Sequence, residues 1–104
     1  MSRIQDLTPE EVAERVKKGA VLIDVREPAE FEAERIAGAK LFPLSTFDPN
    51  ALPKDVPLIF QCGTGKRSTL ALARVQLAGL PYDAHLAGGI QAWKAAGLPT
   101  VVGK

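Results

Sequence analysis

Two kinds of pattern alternate along the chain: short continuous apolar runs, and amphipathic stretches with helical spacing between them. The first amphipathic stretch is TPEEVAERVKK at 8–18. Thr8 can cap it, Pro9 suits the first helical position and Glu11 completes a capping box. Val12 and Val16 fall on one face, and Gly19 is a helix stop. The run AVLIDV at 20–25 is apolar and β-branched without alternation, which predicts a strand buried on both faces. A short helix is expected over 28–34 with Phe31 facing inward. A turn at 36–39 then leads into a second short strand at 40–42. Prolines at 43, 49, 53 and 57 predict a surface connection with at most a turn of helix.

The run at 58–61 reads as the next buried strand. Residues 67–78 carry helical apolar spacing at Leu70, Ala73 and Leu77, with Ala71 and Val75 beside them, and Gly79 ends the pattern. A further strand is expected over 81–86. Gly88 and Gly89 let the chain turn into a last helix at 90–96, closed by Gly97 and Pro99. Phe31, Phe42 and Phe60 read as core, and Trp93 as core or lid packing. Strands alternating with helices predict an α/β sandwich, with a mainly parallel sheet and helices on both faces. Sites in such folds gather at the carboxyl ends of strands. Cys62 stands at one such end and Asp24–Glu27 at another.

At 104 residues the chain forms one domain, 1–104, with no internal repeat. Charged residues make up 24% of it and the net charge is +1, with both signs interspersed, which argues against a nucleic-acid footprint or a polybasic membrane patch. One cysteine cannot form an intramolecular disulfide, so a disulfide-stapled secreted fold is not expected. No signal-peptide pattern stands at the N-terminus and no uncharged apolar run has the length of a membrane span. The expectation is a cytoplasmic protein.

The single thiol changes the picture. FQCGTGKRSTLAL at 60–72 is a strand, a glycine-bearing loop and a helix start. Amides in such a loop can converge on an anion, and the helix N-terminus adds partial positive charge. Lys66 and Arg67 add two cations. Each of these favours thiolate over thiol at Cys62. Gly63 and Gly65 are expected to supply backbone angles that a Cβ would forbid. As a mere buried hydrophobe Cys62 would call for none of these neighbours. A Walker A reading of Gly65-Lys66 fails, because Phe60 and Arg67 stand where that motif needs Gly and Ser or Thr. Dithiol redox chemistry fails for want of a second cysteine. What remains is nucleophilic catalysis by a cradled thiolate. Cysteine phosphatases place five residues between Cys and Arg. Here four separate Cys62 from Arg67, and a tighter ring suits a sulfur-sized cargo.

With these residues on view, the chain resembles the single-domain rhodaneses, a family of sulfurtransferases. The likeness runs through DVRE at 24–27 with Glu30-Phe31, IAGA at 36–39 with Pro43-Leu44, CGTGKRS at 62–68, LAGGI at 86–90, Ala92-Trp93 and AGLP at 96–99. It implies a three-layer α/β/α sandwich with a mainly parallel sheet of about five strands. It implies a sulfane sulfur moved from a small anionic donor, such as thiosulfate, through a persulfide on Cys62 to cyanide or a thiol. Gly63, Thr64, Gly65, Lys66, Arg67 and Ser68 would form the persulfide loop, and no metal or organic cofactor is called for. Two other readings share the site. One is a persulfide carrier handing sulfur to another protein in a relay, and the other is a cysteine phosphatase or arsenate-reductase-like enzyme.

One departure is Glu34-Arg35-Ile36, where the family often has Gly-His-Ile, so the helix before it is expected to end differently. Asp24 and Arg26 are expected to serve structure, with Arg26 at the rim of the site as the functional alternative. His85 reads as an ordinary structural or exposed histidine.

Overall fold

A computed structural model describes residues 4–103. In chain order the elements are β1 (Gln5–Leu7), α1 (Pro9–Lys17), β2 (Val21–Asp24), α2 (Pro28–Ala33), β3 (Glu34–Arg35), β4 (Lys40–Leu41), β5 (Leu58–Gln61), α3 (Lys66–Leu77), β6 (Ala84–Leu86), α4 (Gly89–Ala95) and β7 (Val101–Val102). Five strands form one sheet in the order β1-β6-β5-β2-β4, and every neighbouring pair in it is parallel. β3 and β7 pair antiparallel as a separate ribbon. The architecture is the expected α/β sandwich.

Alternation along the strands sorts the side chains into two layers. Leu7, Leu22, Ile59, Ala84 and Leu86 pack with Val12 of α1 and with Ile90 and Trp93 of α4. On the opposite face Ile23, Leu58, Phe60 and Cys62 pack with Ala71, Leu72 and Val75 of α3 and with Leu52 of the proline-rich connection. That connection holds two single 3-10 turns, Leu44–Thr46 and Pro49–Ala51. α1 begins as its sequence predicts: the Thr8 hydroxyl accepts from the Glu11 amide at 3.1 Å, and the Glu11 carboxylate accepts from the Thr8 amide at 2.9 Å.

The sequence reading contains neither β3 nor β7, and four further details differ from it. β1 has no counterpart in it. Only Leu7 of its three residues is buried, and so short a strand has no readable period. The strand expected over 81–86 is confined to Ala84–Leu86, although the Asp83 carbonyl still accepts from the Gln5 amide. α3 buries Ser68, Ala71, Leu72 and Val75, not the face containing Leu70 and Leu77, which are 56% and 89% exposed. Both faces carry apolar residues at helical spacing. The polar Ser68 disguised the buried one. Finally, Phe60 is fully buried and Phe42 packs beside it, but Phe31 is only half-buried and lies under the Arg35 guanidinium, 5.5 Å from its ring centre.

The departure at Glu34 resolves simply. α2 stops at Ala33, and Glu34 is extended rather than left-handed, with φ −162° and ψ 137°. There it joins the ribbon with β7, and its carboxylate accepts from Lys94 and Thr100 at 2.7 and 2.6 Å.

Candidate active site

Cys62 follows the carboxyl end of β5 directly, in the middle of the sheet. β5 pairs with β2 and β6, so the neighbouring strand ends converge on the thiol. The chain then loops through Gly63, Thr64 and Gly65 into α3. Gly65 is the cap of that helix and sits in the left-handed region at φ 109°, where a side chain would be strained. Gly63 does not share this conformation, contrary to the sequence expectation. Its missing side chain leaves room instead, because a Cβ there would lie 3.2 Å from a guanidinium nitrogen of Arg67.

The loop aims its donors at sulfur. The Gly65 amide donates to Cys62 Sγ at 3.0 Å, and the amides of Ser68 and Thr64 also point at the sulfur. The Ser68 hydroxyl lies 3.8 Å from it. The residue is 1% exposed. Burial by itself would push the thiol up. The amides of Ser68 and Gly65, the Ser68 hydroxyl and the Thr64 amide outweigh burial and hold Cys62 below the ordinary thiol range. The sequence reading gave much of this work to the two cations. Arg67 is in fact committed elsewhere: its Nη1 and Nη2 donate to the two carboxylate oxygens of Glu30 at 2.7 and 3.0 Å. Hydrogen bonding to Arg67 outweighs burial at Glu30, and with the Glu27 amide it lowers that carboxyl to about 2. Lys66 is exposed and forms no ion pair among the described residues.

The loop is held from behind by the start of α4. The Ile90 and Gln91 amides donate to the carbonyls of Cys62 and Gly63 at 2.8 and 3.2 Å. With the Gly63 carbonyl turned toward α4, the Thr64 amide of the same peptide faces the sulfur. Gly89 makes this approach feasible, since a Cβ there would fall on the Cys62 carbonyl oxygen and 2.6 Å from the Gly63 carbonyl. Sequence reading assigned the glycine pair only to a tight turn.

Asp24 and Arg26 are buried at the end of β2 and close on each other. Arg26 Nη2 donates to Asp24 Oδ2 at 2.7 Å, Nε contacts both Asp24 oxygens, and the Arg26 amide donates to Oδ1 at 2.9 Å. The same guanidinium donates to the carbonyl of Glu34 at 2.7 Å and lies 3.5 Å from that of Glu30. The pair therefore ties α2 to the sheet, and α2 in turn presents Glu30 to Arg67.

The residue read from sequence as an ordinary structural or exposed histidine lies buried beneath the loop. His85 is 3% exposed, and its Nδ1 is 2.7 Å from the Ser68 hydroxyl. Its Nε2 is 2.6 Å from Asp6 Oδ1. Asp6 and His85 are register partners in the β1–β6 pairing, so both point to the α3 side of the sheet. The only sequence signal was that His85 is the sole histidine; nothing local marks Asp6 as its partner.

Residues 8–96 match the family model of the rhodanese-like domain. The chain belongs to the rhodanese-like family. Among relatives, a probable adenylyltransferase/sulfurtransferase MoeZ of Mycobacterium tuberculosis is 41% identical over 93 residues, covering 84% of this chain and 24% of MoeZ. The thiosulfate sulfurtransferase GlpE of Pseudomonas putida is 33% identical over 99 residues, covering 91% of this chain and 89% of GlpE. In three dimensions the crystal structure of a rhodanese-related protein from Thermoplasma volcanium superimposes with a TM-score of 0.83 at 29% identity, covering 93% of this chain and 97% of that one. The chain spans half or less of the length of the curated relatives above 40% identity. Both MoeZ and GlpE carry the word sulfurtransferase in their names. No helix among the described residues is long and apolar enough to cross a membrane.

Proposed function

We propose that the protein transfers a sulfane sulfur from a small anionic donor such as thiosulfate to a thiophilic acceptor, with Cys62 as the nucleophile. The observation that carries this reading is the short loop whose amides, led by Gly65 at 3.0 Å, converge on the Cys62 sulfur. The thiolate attacks the outer sulfur of thiosulfate. A new S–S bond forms at Cys62, the bond to the sulfonate sulfur breaks, and sulfite leaves with the electron pair. Cys62 then carries a persulfide, whose charge the loop amides stabilise. Cyanide or a thiolate attacks the terminal sulfur, and the Cys62 thiolate departs unchanged. No oxidant, metal or organic cofactor is needed for the balance.

Lys66, exposed at the mouth of the loop, draws in the anionic donor. Arg67 acts less as a free cation than as a clamp between α3 and α2, through Glu30. The burial of Cys62 favours donors that present a single slim sulfur over bulky ones. The protein works in the cytoplasm, where thiol acceptors are reduced and available.

A second reading has a specific support, the 41% identity with part of MoeZ. In it the domain is a persulfide carrier that receives sulfur from one protein and passes it to another. Intact-mass spectrometry after exposure to thiosulfate tests the shared step. One added sulfur atom, absent in Cys62→Ser, is expected; an unmodified mass overturns thiosulfate as donor. Slow thiosulfate–cyanide turnover beside rapid loading from a cysteine desulfurase favours the carrier. Release of phosphate from an aryl phosphate would instead revive phosphatase chemistry.

A further inference from the structure

Four side chains from three distant parts of the chain form a continuous line: Cys62, Ser68, His85 and Asp6. The separations are 3.8 Å from sulfur to the Ser68 hydroxyl, 2.7 Å from that hydroxyl to His85 Nδ1, and 2.6 Å from His85 Nε2 to Asp6 Oδ1. The first three residues are buried, whereas the Asp6 side chain is 70% exposed. The line therefore runs from the sealed thiol to solvent.

The hydrogen-bond roles along it follow from chemistry. An ionised carboxylate can only accept, so His85 Nε2 carries a proton and donates to Asp6. In the neutral ring Nδ1 is then an acceptor, and of the two acceptors within reach of the single Ser68 hydroxyl proton, the Gly65 carbonyl at 3.0 Å and Nδ1 at 2.7 Å, Ser68 donates to the nearer, Nδ1. The Ser68 oxygen is left to accept from the Cys62 thiol. Sequence separation makes this arrangement uninformative locally, but the fold supports it at every step. Register sets Asp6 beside His85, strand alternation points both toward α3, and Ser68 is the first buried residue of that helix.

We infer that His85 is the proton-holding positioning residue for Cys62, acting through Ser68 and oriented by Asp6. This rests on Cys62 being the nucleophile. When the thiol ionises, the S–H bond breaks and its proton passes to the Ser68 oxygen. The Ser68 hydroxyl proton passes to Nδ1. The products are a thiolate that accepts from Ser68 and an imidazolium whose Nδ1–H donates to Ser68 and whose Nε2–H donates to Asp6. Charge is conserved, with one negative charge gained at sulfur and one positive charge gained on the ring. The same path returns a proton to Cys62 once the sulfur has been handed on. Other charged groups border this line. Arg67 on α3 faces the thiol, Glu30 on α2 faces Arg67, and Lys66 stands at the mouth of the loop; Asp24 and Arg26 are closed on each other.

The test uses the full chain and the rate of Cys62 alkylation by iodoacetamide as a function of pH. His85→Asn keeps a polar group near Ser68 but cannot hold the proton. It is expected to move the midpoint of the profile upward by about one pH unit, lowering the rate near neutrality about tenfold. Ser68→Ala is expected to move it likewise, and Asp6→Asn by less. A folded His85→Asn with the wild-type profile overturns the inference. Because His85 is the sole histidine, its NMR signals give an independent readout that needs no change at His85. The neutral ring should carry its proton on Nε2 and leave Nδ1 bare, and a neutral ring protonated on Nδ1 also overturns the inference. Both readouts are separate from sulfur transfer. Failure to load sulfur with a His85-dependent profile sinks the sulfurtransferase reading alone. Normal loading with an unchanged profile sinks the relay alone.

Discussion

Arg67 and Glu30 form a two-pronged ion pair, 2.7 and 3.0 Å long, that spans from the start of α3 to α2. Glu30 also accepts from the Glu27 amide at 3.0 Å, so one carboxylate both caps α2 and occupies the arginine next to the thiol loop. A residue chosen by sequence as an anion recruiter is thus largely neutralised in the folded protein.

Removing that charge should help the anionic donor. Glu30→Gln retains a capping oxygen but lifts a negative charge from beside the site. The KM for thiosulfate is expected to fall a few-fold, and the gain should shrink as salt is raised. Lys66→Ala should act in the opposite sense, weakening thiosulfate use more than use of a neutral sulfane donor. Steady-state kinetics with both donors checks the pair. An unchanged KM in both variants would remove these charges from donor recruitment.

The same carboxylate makes stability depend on acid. Glu30 is lowered from 4.5 to about 2 in the folded protein. Its folded value lies below its unfolded one, so its contribution is complete above about pH 4.5 and is lost as the pH falls toward 2. The pair is half-exposed and screened by solvent, which limits the effect to about 1 kcal/mol. Urea midpoints for the wild type and Glu30→Gln should differ at pH 7 and converge near pH 2–3.

Gly89 should tolerate nothing larger. Its φ of 61° and its approach to the Cys62 and Gly63 carbonyls leave an added methyl only backbone to push against. Gly89→Ala is expected to cost about 3 kcal/mol or more and to slow Cys62 alkylation, because pushing away the Cys62 and Gly63 carbonyls would disturb the loop that presents the Gly65 amide to sulfur. Thermal unfolding and alkylation rate, measured together, check both halves.

The two faces of α3 provide a contrast. Leu72 is fully buried beside Phe60 and Cys62, so Leu72→Ala should cost about 2–5 kcal/mol. Leu77 is exposed, and Leu77→Ala should change stability by no more than about 0.5 kcal/mol. Denaturant midpoints of the two variants decide which face is core.

Much of this site is written in neighbouring residues. The strand before Cys62, the glycine at the start of α3 and the capping box of Thr8 and Glu11 are local features. Each arises within one turn or one strand, where side-chain type and backbone geometry act on each other directly. The choice between the faces of α3 was not local, because alanines and leucines offer both, and only the sheet beneath selects Ala71, Leu72 and Val75.

By itself, the order of residues determined an alternating α/β chain and a single thiol set in a loop of amides before a helix. Only the tertiary structure decided what surrounds that thiol. The strand order β1-β6-β5-β2-β4 brings Asp6 to His85 across 79 positions, and α2 brings Glu30 to Arg67 across 37. The N-terminus of α4 backs the loop through Gly89. Such meetings depend on which strands pair and in what register. That is settled by burial of both sheet faces at once, a property of the whole chain that no short stretch of it carries.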